Sequence, residues 1–576
     1  MGTVEASDRI AEAEAWLAQD PDPETRAELS ALLDRVKAGD PVATADLASR
    51  FDTRLAFGTA GLRGELAAGP NRMNRVLVAQ AAAGLAAFLL RRAAGGAQPT
   101  IVIGYDGRKN SDVFARDSAE FIAGAGVRAL LLPRHLPTPL LAFAVRYFNA
   151  AAGVMVTASH NPPHDNGYKV YLGGDDDGSQ IVPPVDAAIA AEIERVAATI
   201  TVPQLPRGTY EVTNDAVVDA YVAATATVAV PAGRSLGDPG AAPHVVYTAM
   251  HGVGWETFAA VVQRAGYALP TTVDEQLHPD PAFPTVAFPN PEEPGAMDLA
   301  FARGREVGAE LIIANDPDAD RLAIAIPDAS QPAGFRRLTG NEIGLILGWR
   351  VAAQHAEAFA HNESTVPGTL ACSIVSSPGL QRVAEAYGLE FEATLTGFKW
   401  ISRADGLIYG YEEALGYLVN PGTVRDKDGI SAAAAILSLA TELRAVGRTL
   451  ADHLDDFVGK FGCFASGQIS IRVTDLTRIA AVMAHLRTNP PAAIGGVAVA
   501  RIEDLAEGFG TLPPSDVLRI VLDDGSRVMV RPSGTEPKLK IYLDAVADTG
   551  TVAERRAAAD ATIAALDAGM RALIGA

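Results

Sequence analysis

Short apolar runs recur along this 576-residue chain, each followed by a stretch with helical periodicity, and that alternation limits the possible folds more than any other feature. Residues 101–106 form one such run before the helical stretch 113–125, and the regions around Val245 and Leu370 repeat the pattern. Runs of that length between helices predict buried strands in α/β units. The length predicts three to five domains with substantial cores. No residue-level repeat accompanies the recurring pattern. Residues 7–47 read as helices broken at 20–24, with Leu29, Leu32, Leu33 and Val36 at helical spacing. Passages rich in Pro and Gly at 230–243 and 278–294 mark joints or insertions, and a helix is expected over 213–227. Near the end, strands around 469–471 and 528–530 with a helix over 551–573 predict a smaller α+β domain.

Apolar residues make up 48% of the chain and charged residues 20%, the balance of an ordinary globular protein. A formal net charge of -21 argues against a general nucleic-acid-binding surface, which needs clustered Lys and Arg, yet leaves room for a locally basic pocket. Cys372 and Cys463 stand far apart, so neither a disulfide framework nor a zinc site is expected, and a reducing cytoplasm fits. The first residues carry no signal-peptide pattern, and Ala6 stands where a myristoylation signal needs Ser or Thr. No apolar stretch reaches the roughly 18 residues of a membrane helix, so the expectation is a cytoplasmic protein with no membrane partner.

Three segments carry chemistry. Thr157-Ala158-Ser159-His160-Asn161-Pro162-Pro163 follows an apolar run, which puts the Ser159 hydroxyl at an accessible strand end, either as a nucleophile or as part of a turn with a local hydrogen bond. A serine-hydrolase elbow needs Gly where Thr157 and Asn161 stand. Asn315-Asp316-Pro317-Asp318-Ala319-Asp320-Arg321 lies between two apolar runs. Three carboxylates at alternate positions repel one another unless a cation neutralises them, and hard oxygen ligands favour Mg²⁺ or Ca²⁺; the competing reading is a solvated acidic turn. An EF-hand is excluded by Arg321 at the loop's sixth position and Pro327 at its twelfth. Arg531-Pro532-Ser533-Gly534-Thr535 combines a guanidinium fork, two hydroxyls and a glycine, which reads either as a phosphate cradle or as a plain turn. Two further segments, Phe57-Gly58-Thr59-Ala60-Gly61-Leu62-Arg63-Gly64 and Tyr411-Glu412-Glu413-Ala414-Leu415-Gly416-Tyr417, suit sugar recognition or a structural role equally.

Taken together and in this order over roughly residues 51–545, the segments resemble those of the α-D-phosphohexomutase superfamily, the phosphoglucomutases and phosphomannomutases. Residues 57–64, 412–417 and 427–429 are closest to its phosphoglucomutase-2 and phosphopentomutase branch. The resemblance implies an α/β protein with four domains around a central cleft, three of one α/β type and a smaller C-terminal phosphate-binding one. The expected boundaries are 1–50 for a helical extension, then 51–212, 213–330, 331–456 and 457–576. By similarity, Ser159 carries the phosphoryl group and ligates Mg²⁺ together with Asp316, Asp318 and Asp320. Arg63, His160, Lys169 and Arg321 would surround the transferring group, with Lys169 taking the hydroxyl proton. Glu412 would contact the sugar, Lys399 and Lys427 the substrate, and Arg531, Ser533, Gly534 and Thr535 the phosphate that does not react. Many hexose mutases carry Ser where this chain has Ala414, which bears on substrate preference rather than reaction type.

The implied reaction interconverts sugar 1-phosphate and 6-phosphate, of glucose first and mannose second, through a bisphosphate, with glucose 1,6-bisphosphate as activator. The alternatives are a phosphopentomutase acting on ribose or deoxyribose phosphates, a phosphatase, and a catalytically silent sugar-phosphate-binding regulator. The expected partner is a small phosphosugar, and the expected assembly is a monomer or homodimer.

Overall fold

In the computed structural model, residues 2–58, 61–360, 367–473, 477–510, 512–532 and 538–575 are described, the side chains of 2–6 excepted. By contacts the chain forms two compact units, one of Met1–Arg337 with Asn420–Ser438, the other of Leu338–Val419 with Leu439–Ala576.

The first unit opens with three helices, Gly2–Gln19, Pro23–Lys37 and Pro41–Phe51. Asp22 and Asp40 cap the second and third by accepting hydrogen bonds from first-turn amides, and a Pro at each start has no N–H to leave unpaired. The sequence marked the first break but not the second, which falls at Gly39, whose φ of 84° suits a residue without Cβ. Trp16, Leu29, Leu33, Leu47 and Phe51 bury this helical layer as part of the same core as the sheet that follows.

That sheet runs in the order Leu62–Glu65, Asp165–Leu172, Ala152–Val156, Thr100–Tyr105, Arg128–Leu131, Glu211–Val212, with Ser179–Gln180 paired to Asp165–Leu172. Its central strands are parallel and buried on both faces, which is why they read as continuous apolar runs. The helix expected over 113–125 is Ser111–Gly124, and the one expected over 213–227 is Ala216–Ala226. A second sheet orders Phe335–Arg337, Leu322–Pro327, Leu311–Asn315, Val245–Thr248 and Thr271–Thr272. Leu311–Asn315 runs parallel to Val245–Thr248 and antiparallel to Leu322–Pro327, so the acidic segment is the connection of a hairpin held at both ends by buried strands.

The second unit holds two sheets. One, Glu390–Thr394, Thr369–Ser373, Leu407–Glu412 and Gly416–Leu418, packs against the helices Gly340–Ala360 and Gly379–Tyr387. The other is antiparallel throughout, in the order Cys463–Arg472, Lys538–Ala547, Arg527–Pro532, Leu518–Leu522, Val497–Asp504, Ala493–Ile494, with the helix Val552–Ile574 over it. No single helix among the described residues is long and apolar enough to cross a membrane.

Candidate active site

Ser159 follows the strand Ala152–Val156 by three residues and adopts a left-handed backbone, φ 52°, which costs a residue with a Cβ of order 1–3 kcal/mol. What holds it there is a side chain that the sequence reading passed over. Arg108, its side chain 1% exposed, reaches from just beyond the strand Thr100–Tyr105 and donates to the carbonyls of Ser159 and Asn161 at 2.6 Å each, Pro162 at 2.8 Å and Asp165 at 3.2 Å. Thr157 Oγ1 accepts from the Ser159 amide at 2.8 Å. The loop is thus wound around one guanidinium, and it aims the Ser159 hydroxyl at the acidic hairpin.

There Ser159 Oγ donates to Asp316 Oδ2 at 2.9 Å, across 157 residues of sequence. Asp316, Asp318 and Asp320 are fully buried, and each offers an oxygen within 4.8 Å of the others'. Ala319, at φ 54°, makes the turn that brings them together, while Gly252 lies so close beneath that a Cβ would stand 2.3 Å from Pro317 Cα. Asp318 Oδ2 accepts from Thr138 Oγ1 at 2.6 Å and from Lys169 Nζ at 2.7 Å. Asp320 Oδ2 accepts from Lys169 at 2.8 Å and lies 3.2 Å from Lys427 Nζ. Asp318 Oδ1 and Asp320 Oδ1 are buried with no hydrogen-bond partner among the described residues. Two such oxygens beside a third carboxylate fit a hard divalent cation such as Mg²⁺, whose ligands are oxygens. Burial, reinforced by Asp318 and Asp320, pushes Asp316 well above the usual carboxylate range. Burial acts the same way on Asp318 and Asp320, but Lys169 on both, with Lys427 and Arg321 on Asp320, outweighs it and holds them below that range.

The cations around the cluster come from separate elements. Lys169 lies on the strand Asp165–Leu172; burial lowers its pKa, yet Asp318 and Asp320 more than offset that and leave it raised. Arg63, on the neighbouring strand in register with Gly167, donates to Asn161 Oδ1 at 3.2 Å, and burial lowers its pKa. Thr59 and Ala60 of the same segment lie outside the described residues. Arg321 Nε stands 3.9 Å from Asp316 and 3.8 Å from Asp320. His160 Nδ1 is 3.2 Å from Ser159 Oγ, and burial, with Arg321 and Arg63 adding to it, pushes the imidazole well below its ordinary pKa and keeps it neutral. Lys427, expected as a substrate contact, has its ammonium beside Asp320, within the first unit.

Of the residues expected at sugar and phosphate, Glu412 ends the strand Leu407–Glu412, Lys399 lies in the short helix Phe398–Ile401, and Arg531 stands near the end of the strand Arg527–Pro532. All three belong to the second unit. Ser533, Gly534 and Thr535 lie outside the described residues. Beyond Arg108, the sequence reading missed Thr138. A signal for Arg108 existed, because side chains just past the C-terminal ends of parallel strands line the sites of α/β sheets.

Comparison with known proteins identifies the family. Four models of the phosphoglucomutase/phosphomannomutase family match in order: alpha/beta/alpha domain I at residues 54–199, domain II at 219–329, domain III at 339–461 and the C-terminal domain at 469–562. A Haemophilus influenzae protein named "Probable phosphomannomutase" is 55% identical over 82% of this chain and 93% of its own length. The phosphoribomutase of Saccharomyces cerevisiae is 34% identical over 92% of each chain, and the human phosphopentomutase 33% identical over 88% of this chain and 87% of its own. Among solved structures, the open form of pp63/parafusin, a phosphoglucomutase of Paramecium, shares the fold with a TM-score of 0.65 at 20% identity, over 91% of this chain and 97% of its own. This chain belongs to the phosphoglucomutase/phosphomannomutase family of the α-D-phosphohexomutase superfamily, and it is an enzyme of the phosphomutase class.

Proposed function

We propose that the chain interconverts the 1- and 6-phosphates of a hexose, glucose first and mannose second, using phosphorylated Ser159 and a sugar bisphosphate intermediate. The observation that carries the reading is the meeting of the Ser159 hydroxyl with the buried Asp316–Asp318–Asp320 cluster at 2.9 Å. Asp316, Asp318 and Asp320 would hold Mg²⁺ together with a Ser159 phosphate oxygen. When bound, the ion supplies Lewis-acid stabilisation of charge on the transferring oxygens.

Ser159 gives its phosphoryl group to the free hydroxyl of a sugar monophosphate and takes the other phosphoryl group back from the bisphosphate. The sugar changes isomer without net hydrolysis. Arg63 and Arg321 stabilise the charge on the group in flight, and neutral His160 orients the Ser159 oxygen. Lys169 takes the proton of the attacking hydroxyl. That role requires its amine to shed the support of Asp318 and Asp320, which raises its pKa in this structure. Glu412 and Lys399 bind the sugar hydroxyls, and Arg531 with Ser533, Gly534 and Thr535 grips the other phosphate. Lys427 serves the substrate from its place beside Asp320. Exclusion of water from phosphoserine is what keeps such a chain a mutase rather than a phosphatase, and glucose 1,6-bisphosphate is the activator that would reload Ser159.

A second reading, a pentose mutase, is favoured by Ala414, which lacks the hydroxyl many hexose enzymes place there, and by the likeness to phosphoribomutase and phosphopentomutase. A side-by-side assay with glucose, mannose and ribose 1-phosphates, combined with intact-mass detection of one phosphate on Ser159, decides between them. A kcat/KM for ribose 1-phosphate above that for both hexose 1-phosphates would overturn the hexose assignment. Stoichiometric release of inorganic phosphate would overturn the mutase mechanism.

A further inference from the structure

Within the second unit a continuous chain of buried and partly buried polar groups joins two loops that the proposed function treats as separate. Arg527, at the start of the strand that carries Arg531, donates through Nε to Asp544 Oδ2 at 2.8 Å and through Nη2 to the backbone carbonyl of Ser376. The side chains of Arg527 and Asp544 are 15% and 3% exposed. The Ser376 hydroxyl donates to Glu413 Oε2 at 3.1 Å and accepts from the Glu413 amide at 3.0 Å, and Ser373 Oγ donates to the same carboxylate oxygen at 3.1 Å. On the other side of the joint, Asp544 Oδ1 accepts from Ser466, Ser466 Oγ accepts from Asn341 Nδ2 at 2.8 Å, and Asn341 Oδ1 accepts from the Ser377 amide at 2.8 Å. An apolar patch in which Ile374 and Val375 meet Met529 and Tyr542 seals the network.

Buried networks of this kind cost stability relative to an apolar joint unless every member is satisfied, and fully satisfied they fix one geometry. Here the fixed geometry relates the Glu412–Glu413 turn to the strand end bearing Arg531. Glu413, adjacent to Glu412, has one carboxylate oxygen held by Ser373 and Ser376.

We propose that Arg527 is a positioning residue. Through the Ser376 carbonyl and the Glu413 carboxylate, it sets the distance between the sugar-binding carboxylate Glu412 and the phosphate-binding Arg531, and so the length of phosphosugar the enzyme accepts. The inference rests on the roles proposed above for Glu412 and Arg531. A guanidinium is needed because two donors must diverge toward a carboxylate and a carbonyl at once, which an ammonium on a flexible stem does not hold in one geometry.

Arg527→Met alone strands the Asp544 carboxylate in the interior, so the decisive variant is Arg527→Met with Asp544→Leu, an apolar replacement of the pair that keeps the fold. In the full-length enzyme it is expected to raise KM for the preferred sugar 1-phosphate at least tenfold while kcat changes less than threefold. Exchange of the Glu413 amide should rise at least tenfold, and Mg²⁺ affinity, measured by calorimetry, should stay within twofold of wild type. Arg527→Lys should recover less than half of the KM loss. Wild-type KM together with wild-type Glu413 exchange in the double variant overturns the inference and leaves the mutase reading standing. A wild-type enzyme with no mutase activity on any phosphosugar fails that reading instead, and Glu413 exchange then decides the coupling alone.

Discussion

Replacing Arg108 with Met tests whether the phosphoserine loop is held by one side chain. The substitution preserves most of the apolar stem and deletes four hydrogen bonds, two of them at 2.6 Å, to backbone carbonyls of residues 159–165. It also deprives the buried Asp106 of its cation, which stands 3.5 Å away. Hydrogen bonds to a charged group contribute about 1.5–3 kcal/mol each, but bonds from one guanidinium are not additive. Breaking a buried charge pair from one side costs about 3–5 kcal/mol, and that is the expected loss for the unit that contains the loop. Freed of its clamp, Ser159 should leave the left-handed region, whose strain is of order 1–3 kcal/mol, and carry its hydroxyl away from Asp316. A shift of about 1 Å lowers transfer by about 100-fold. Guanidinium unfolding monitors the first effect, and single-turnover phosphorylation of Ser159 by glucose 1,6-bisphosphate, followed by intact mass, monitors the second. Arg108→Met with a stability loss under about 1 kcal/mol and unchanged transfer would refute the clamp.

Other expectations follow from single contacts. His453 stacks on Trp349 at 4.4 Å, and burial pushes its pKa down to about 4, with Arg448 and Arg350 lowering it further against Asp456 and Glu442. The neutral form is favoured in the fold, so stability is full above the unfolded value near 6.5 and about 3 kcal/mol is lost as pH falls to 4; His453→Phe should flatten that part of the unfolding profile. Gly61, at φ 77°, lies where a Cβ would meet the Tyr168 carbonyl oxygen at 1.8 Å, so Gly61→Ala must displace the strand that carries Lys169 and should lower kcat about 100-fold, with a reduced Tm as the accompanying reading. Phosphorylated and dephosphorylated enzyme should differ in Mg²⁺ affinity by about 5- to 150-fold in favour of the phosphorylated form, and equal calorimetric affinities would contradict a shared site.

What the sequence disclosed was local. The apolar run before Ser159 and the two runs around the acidic segment announced strands, and a short connection between antiparallel neighbours leaves the three carboxylates nowhere to go but together. What it concealed was long-range. Arg108 meets its carbonyls 51 to 57 positions away, and Thr138 meets Asp318 across 180, contacts that no periodicity encodes. The same holds for the contacts of residues 420–438. Tyr171 donates to Asp426 and Tyr221 to Asp428 across more than 200 residues, and those buried bonds join the segment to the first unit. The left-handed turn at Ala319 was equally hidden, because alanine carries no turn signal of its own.

Charge accounting explains how a chain with a net charge of -21 can operate on phosphates. At the cluster, Asp316, Asp318 and Asp320 are met by Lys169, Lys427 and Arg321, with Arg63 close enough to act on Asp318 and Asp320 as well. A phosphoryl group on Ser159 adds about two negative charges, and one Mg²⁺ adds two positive ones. The pair therefore enters as a nearly neutral unit, whereas either partner alone shifts the charge beside the buried carboxylates by about two, which is far more costly there than at the surface. The acidic exterior is irrelevant to that balance, because exposed charges more than about 10 Å away are screened by salt while the buried set is not.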